Sequence, residues 1–166
     1  VSGGPFDGWD LRRKENGNGA SVWGVELGWK RTWEMMGAVP GDPTLTLFYT
    51  YSESSADIDE RAGKSIPLPQ RSRHFFAFTA NHGLGPLETE YSVTYQSRFL
   101  DGIGDDAGAD VFLNDSVRMN LAFNLRLSPW VRSFVKFSNI TDRPERNFEG
   151  NLSRVTNNEY NSWKIE

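Results

Sequence analysis

The sequence predicts an all-β fold of about seven antiparallel strands, each long enough to cross a membrane. Three observations predict it. Apolar and polar residues alternate with period two over stretches of about 9–13 residues, as they do when successive side chains point to opposite faces of a strand. The connections between these stretches alternate between short and long. No stretch has a helical period, and no run of about 18 apolar residues exists, which excludes a membrane helix.

The first run is "ASVWGVELGWKRTW", 20–33, with Trp23, Val25, Leu27 and Trp29 on one face and Gly24, Glu26, Gly28 and Lys30 on the other. Trp23, Trp29 and Trp33 share that apolar side, the distribution of an aromatic girdle at two membrane interfaces. The second, "TLTLFYTYS", 44–52, sets Leu45, Leu47, Tyr49 and Tyr51 against Thr46, Phe48, Thr50 and Ser52. The third, "RHFFAFTANH", 73–82, alternates less regularly. The fourth, "LETEYSVTYQSRF", 87–99, opposes Tyr91, Val93, Tyr95 and Phe99 to Glu90, Ser92, Thr94, Gln96 and Arg98. The fifth, "VRMNLAFNLRL", 117–127, is the clearest, because every odd-numbered residue is apolar. Arg118, Asn120, Asn124 and Arg126 share its other face. The sixth, "WVRSFVKFSN", 130–139, alternates Val131, Val135 and Phe137 with Arg132 and Lys136. A seventh begins at "EYNSWKIE", 159–166.

Short joins ("GLGP", "SP", and the modest "EMMGAVPGDP") alternate with long ones at 53–72, "LDGIGDDAGADVFLND" and "ITDRPERNFEGNLSRVTNN". Short turns on one side and long loops on the other are the organisation of an outer-membrane barrel. Strand length agrees. Eleven residues at about 3.4 Å each extend about 37 Å. Tilted near 45°, they cover about 26 Å, close to the apolar band of about 25 Å such barrels need. Backbone groups in lipid must all be paired, which requires closure.

Composition narrows the function. The chain has 166 residues, enough for one domain, and only 37% are apolar. That low value does not exclude a membrane barrel, whose apolar residues occupy every second position. The net charge is −4 with both signs interspersed, which argues against a nucleic-acid partner. With no cysteine, disulfide scaffolds, zinc–thiolate sites and cysteine nucleophiles are removed together. The opening "VSGGPFDGWDLRRKENGNG" lacks the apolar core of a signal peptide, so the chain reads as mature or as a fragment.

Four stretches, in order, resemble the C-terminal part of the barrel of TonB-dependent outer-membrane receptors. "NGNGASVWGVELGWKRTW" is similar to an Asn-x-x-x-Ala-x-x-x-Gly-x-Glu strand through Asn16, Ala20, Gly24, Val25 and Glu26. "LTLFYTYSESSADID" is similar to the following strand, which often carries Tyr-Thr-Tyr. "IPLPQRSRHFFAFTANHGLGPLETEYSVTYQSRFL" resembles a Pro-containing loop leading into a hairpin. "FVKFSNITDRPE" resembles an Asn-Leu-Thr-Asp strand ending through Asn139, Ile140, Thr141 and Asp142.

The resemblance covers nearly the whole chain. It implies a 22-stranded barrel with a plug domain in its lumen, in the outer membrane of a Gram-negative bacterium. Such receptors take up a siderophore, cobalamin or an oligosaccharide, driven by the inner-membrane TonB complex through the plug. The Pro-rich loop is also similar to members proposed to import carbohydrate. Two departures stand out: no plug or TonB-interacting segment precedes the strands, and "WKIE" lacks a terminal aromatic. Residues 1–166 therefore read as a C-terminal segment of the barrel domain, with plug and closing residues absent. The expected partners are outer-membrane lipid, a small-molecule solute and, through the absent plug, the TonB complex. Two other readings are a soluble β-sandwich that binds carbohydrate and a small eight-stranded barrel.

No enzymatic motif emerges: no Gly-x-Ser-x-Gly, phosphate loop or dinucleotide fingerprint. No catalytic residue, cofactor or metal is expected. "DGIGDDAGAD", 101–110, clusters acids as calcium sites do, but its spacing is not that of an EF-hand loop, and a solvated loop is the plainer reading. His74 and His82 are too isolated for a metal site. Glu88 and Glu90 share a strand face without a partner base or nucleophile. Asn139 and Asp142 are expected to end a strand, since such side chains bond the backbone that follows them. Three glycosylation sequons, at Asn114, Asn139 and Asn151, carry no weight in a bacterial protein. The candidate substrate-binding set is Gln96, Arg98, Arg118, Asn120, Asn124 and Arg126, which would face a polar solute, the plug or lumen water. Most ligand contacts are expected from the long loops.

Overall fold

The computed structural model describes Gly8 and residues 19–34, 41–61, 63–160 and 162–166. Asn16 and most of the join between the first two strands lie outside the described residues. Among the described residues eleven strands follow in order: β1 (Gly19–Thr32), β2 (Thr44–Asp57), β3 (His74–Leu84), β4 (Leu87–Gln96), β5 (Phe99–Gly102), β6 (Val111–Leu113), β7 (Ser116–Arg126), β8 (Arg132–Ser138), β9 (Glu145–Glu149), β10 (Val155–Glu159) and β11 (Lys164–Ile165). A single turn of 3₁₀ helix, Asp59–Arg61, follows β2. The fold is all-β and antiparallel, in two sheets. The main sheet runs β1-β2-β3-β4-β7-β8-β11, and a smaller one runs β10-β9-β6-β5.

The register of the main sheet aligns the principal apolar rows of its strands on one side, while Phe48, Phe75 and Phe134 fall among the polar residues of the other. Trp29 pairs with Leu47, which pairs with Phe78, which pairs with Val93, which pairs with Met119. One row along, Tyr91 pairs with Leu121 and Leu121 with Phe137. A slip of one residue at any interface would send a whole strand's apolar set to the polar side, and none occurs among these pairs. Aromatic neighbours reinforce the register, with Phe78 edge-on to Tyr91 at 6.2 Å and Phe123 edge-on to Phe137 at 6.3 Å.

The β3–β4 hairpin has a two-residue loop, since Leu84 pairs with Leu87. Gly85 sits at φ +60°, the sign that primed hairpin turns need at their first position. Proline fixes φ near −65° at the second, which selects the II′ type. At the same end, Arg126 pairs with Arg132 across the second short turn. All three long connections leave from the opposite end.

Among the described residues, neither face of the main sheet carries a second layer. Every substantial strand-to-strand contact is between hydrogen-bonded neighbours, so the two sheets do not stack as a sandwich requires. Trp23, Leu27, Trp29, Val135 and Phe134 stand exposed. The buried hydrophobic residues among those described are Ala56, Leu100 and Phe148, all at the end from which the long connections leave.

The sequence reading of strands is corrected in three places. The fourth strand ends at Gln96, not Phe99, because Ser97 turns out of the sheet: its N–H donates to the His74 carbonyl (2.9 Å), and its Oγ accepts from the His74 N–H (2.9 Å). Of the seventh run, 159–166, Glu159 ends β10 in the small sheet and only Lys164–Ile165 joins β8. The long connections, expected as polar loops, hold four strands.

Candidate functional site

The polar face of the main sheet and the folded long connections beside it form the candidate site. On the polar face, Glu88 pairs with Asn124, Ser92 with Asn120, Thr94 with Arg118 and Gln96 with Ser116. Ala122 pairs with Lys136 and Arg126 with Arg132. The strand period alone places these side chains, since they occupy the even-numbered positions between the apolar ones.

The six sequence-chosen residues do not form one cluster. Arg118 and Asn120 line an open groove of about 470 Å³ with Ser138, Asn139, Lys164 and Glu166. Arg118 is ion-paired with Glu145 at the start of β9. Asn120 donates to Ser92 Oγ (3.2 Å) and accepts from the Asn139 N–H (3.1 Å). Asn124 and Arg126 lie at the short-turn end in a second groove of about 220 Å³ with Glu88 and Arg132. Gln96 lines a third groove with Thr50, Gln70, Arg71 and Phe75. Arg98 is off the polar face altogether: past the end of β4, its guanidinium lies 5.8 Å from the Phe148 ring centroid.

The long connections form a cap. β6 from one of them pairs with β9 from another, Phe112 opposite Phe148, with the two rings stacked at 5.5 Å. Leu100 and Phe148 are almost wholly buried. The third connection is bound in through Arg61. Its guanidinium donates to Asp110 Oδ1 (2.7 Å), the Gly104 carbonyl (2.9 Å) and the Asp105 carbonyl (3.1 Å). Both partners of the Arg61–Asp110 pair are buried, and Asp110 Oδ1 also accepts from the Gly104 N–H (3.0 Å). The Gln70 N–H donates to the Leu100 carbonyl (2.7 Å). Gly150, at φ +68°, lies where a Cβ would fall 2.5 Å from the Gly108 carbonyl, so two connections touch there without room for a side chain.

This cap is what the sequence reading missed. The signal was present in Leu100, Phe112, Leu113 and Phe148, apolar residues set in Gly- and Asp-rich stretches. Their runs of 3–5 residues are too short for alternation to register.

Several candidates have structural employment. Asp106 Oδ1 accepts from the N–H groups of Gly108 (2.6 Å) and Ala109 (3.1 Å), and Asp110 holds Arg61, so these acids of the 101–110 run serve the cap. Among the described residues, no group of three or more His, Asp or Glu could hold a metal ion. His74 Nδ1 shares a hydrogen bond with Tyr49 Oη (2.9 Å). Asn139 (φ +52°) and Asp142 (φ +46°) form a turn directly after β8, closed by the Asp142 N–H to the Asn139 carbonyl (2.8 Å). Comparison with protein-family models, curated proteins and solved structures finds no match.

Proposed function

We propose that this chain is a sector of a transmembrane β-barrel in the outer membrane of a Gram-negative bacterium. In this reading it belongs to a TonB-dependent receptor that imports a scarce solute (siderophore, cobalamin or oligosaccharide). The apolar face meets lipid, the polar face borders the lumen, and the cap stands outside.

One observation carries the reading: seven hydrogen-bonded strands present a predominantly apolar face, and among the described residues no layer packs on it. Each large apolar side chain left in water forgoes about 1.5–3 kcal/mol relative to burial. On this face Trp23, Leu27 and Trp29 are exposed and Leu47, Phe78, Val93, Leu121, Phe123 and Phe137 half-buried, so the sum is on the order of 10 kcal/mol. Domains are stable by only about 5–15 kcal/mol, so an apolar medium against that face resolves the deficit. The aromatics fit a lipid slab. Trp23 and Trp33 are ten residues apart, about 34 Å along the chain and about 24 Å along the membrane normal at a 45° tilt. Among the described residues the outer edges of β1 and β11 are unpaired in the main sheet, so a barrel needs further strands to close.

The test is site-directed labelling in native membranes, made simple by the absence of cysteine. Asn120→Cys and Asn124→Cys are expected to react with a water-soluble maleimide. Leu121→Cys and Phe123→Cys are expected to resist it and to react with a lipid-soluble one. The opposite result would refute the proposal. A sandwich reading would need the apolar face covered by the second sheet, which instead lies at the sheet's end.

A further inference from the structure

The charges on the polar face are segregated. On β1 and β4 they are Glu26, Lys30, Glu88 and Glu90; β2 and β3 contribute none. On β7, β8 and β11 they are Arg118, Arg126, Arg132, Lys136 and Lys164. Glu166, whose backbone pairs with Lys136 through two hydrogen bonds, is the acid that continues β11. The chain as a whole has 22 acidic and 18 basic residues, so this basic sector does not follow from a basic composition.

Two details give the sector a chemical meaning. Arg126 and Arg132 are directly opposed, an arrangement that destabilises a sheet, and the single carboxylate of Glu88 that lines the same groove leaves an excess of positive charge there. Among the described residues Arg126, Arg132, Lys136 and Lys164 take part in no ion pair, while Arg118 is held by Glu145. The cations also climb the sheet. Lys136 lies four residues above Arg132 on β8, and Lys164 is level with Ser138, two residues further. Continuing the register, Arg118 falls two residues beyond that. At about 3.4 Å per residue the steps are roughly 14, 7 and 7 Å. The grooves at the two ends, one holding Arg126 and Arg132 with Glu88 and the other Arg118 and Lys164 with Glu166, are the first and last stations, each with two cations to one carboxylate.

We infer that the β7–β8–β11 sector binds an anionic solute, one that presents carboxylate or phosphate oxygens to successive cations. This rests on the reading that the polar face borders a lumen, and it selects the charge class of what that lumen carries. A guanidinium pair such as Arg126 and Arg132 can grip one oxyanion from both sides through charge-assisted hydrogen bonds. Walls of one charge sign concentrate counter-ions in a confined space.

The experiment measures binding of succinate, pyrophosphate and sucrose to the purified full-length protein by calorimetry, at ionic strength held constant with chloride. Binding of either anion is expected, with the tighter one naming the group recognised, and no binding of sucrose. Arg132→Gln and Lys136→Gln are each expected to weaken anion binding tenfold or more. Arg31→Gln, on the opposite face, is expected to change it less than twofold. Equal affinity in all variants, or binding of sucrose but neither anion, would overturn the inference. So would an Arg132→Cys variant that resists a water-soluble maleimide in the native protein, because the sector would then be covered by another part of the molecule. If Asn120→Cys and Asn124→Cys still label, the lumen reading stands and only the anion inference fails.

Discussion

Leu121 offers the sharpest test of where the apolar face lies. It is the middle residue of the eleven in β7 and is flanked by Tyr91 on one side and Phe137 on the other. Five residues separate it from each strand end, about 17 Å along the chain. With a tilt near 45° that becomes about 12 Å, which in the proposed barrel would put Leu121 at the midplane of an apolar band about 25 Å tall. An arginine at the midplane of a lipid-facing strand costs about 2–4 kcal/mol, and near an interface about 0–1. Leu121→Arg is therefore expected to lower stability by about 2–4 kcal/mol. Val117→Arg, four residues nearer the rim, is expected to cost about 1 or less, and Asn120→Arg, on the polar face, about 1 for the hydrogen bonds it loses with Ser92 and Asn139. The assay is guanidinium-induced unfolding of the full-length protein in phosphatidylcholine bilayers, read by tryptophan fluorescence. Were the apolar face in water, Leu121→Arg would relieve an exposed hydrophobic and cost nothing. A Leu121→Arg value within 0.5 kcal/mol of the parent, or equal costs at positions 117, 120 and 121, would refute the depth argument and with it the lipid-facing assignment.

The cap and the turns give further expectations. Asp110→Ala strands the buried Arg61 guanidinium and is expected to cost about 3–5 kcal/mol, seen as faster hydrogen exchange at the Gln70 and Gly104 amides with the main-sheet amides unchanged. Phe148→Ala removes the ring stacked on Phe112 and lying under Arg98, for about 3–5 kcal/mol, and is expected to open 99–113 and 145–159 together to limited proteolysis. Gly85→Ala forces a Cβ into a φ of +60° and is expected to destabilise the β3–β4 hairpin by about 1–2 kcal/mol, measured as a lowered unfolding midpoint. Arg118→Gln breaks a half-exposed ion pair with Glu145 and is expected to change stability by no more than about 1 kcal/mol.

The main sheet was legible because its information is local and repeated. From Val117 to Arg126, or from Trp23 to Trp29, the alternation states both the strand and its faces, and the structure keeps them. The polar side of β7 was likewise readable residue by residue. Continuity of parity misled at Arg98: Phe99 extends the alternation of β4, yet Ser97 bonds back to His74 and directs the chain into the cap. The cap itself depends on pairing between segments far apart in sequence, such as Val111 with Glu149 and Arg61 with Asp110. A lone arginine among polar residues carries no mark of the aspartate 49 positions away that makes it a buried residue. The division of five of the six chosen residues among three grooves was equally unreadable, since it follows from the height of each residue on the sheet and from where the cap begins.

The shared β6–β9 ladder makes neighbouring surface segments inseparable as units of inheritance. A recombination event that exchanged 97–115 alone would bring in a strand whose partner, still the old 139–163, was shaped for something else. Variation at this surface is therefore expected to move in matched blocks, and an antibody raised against it would see a composite epitope that a peptide from either segment fails to reproduce.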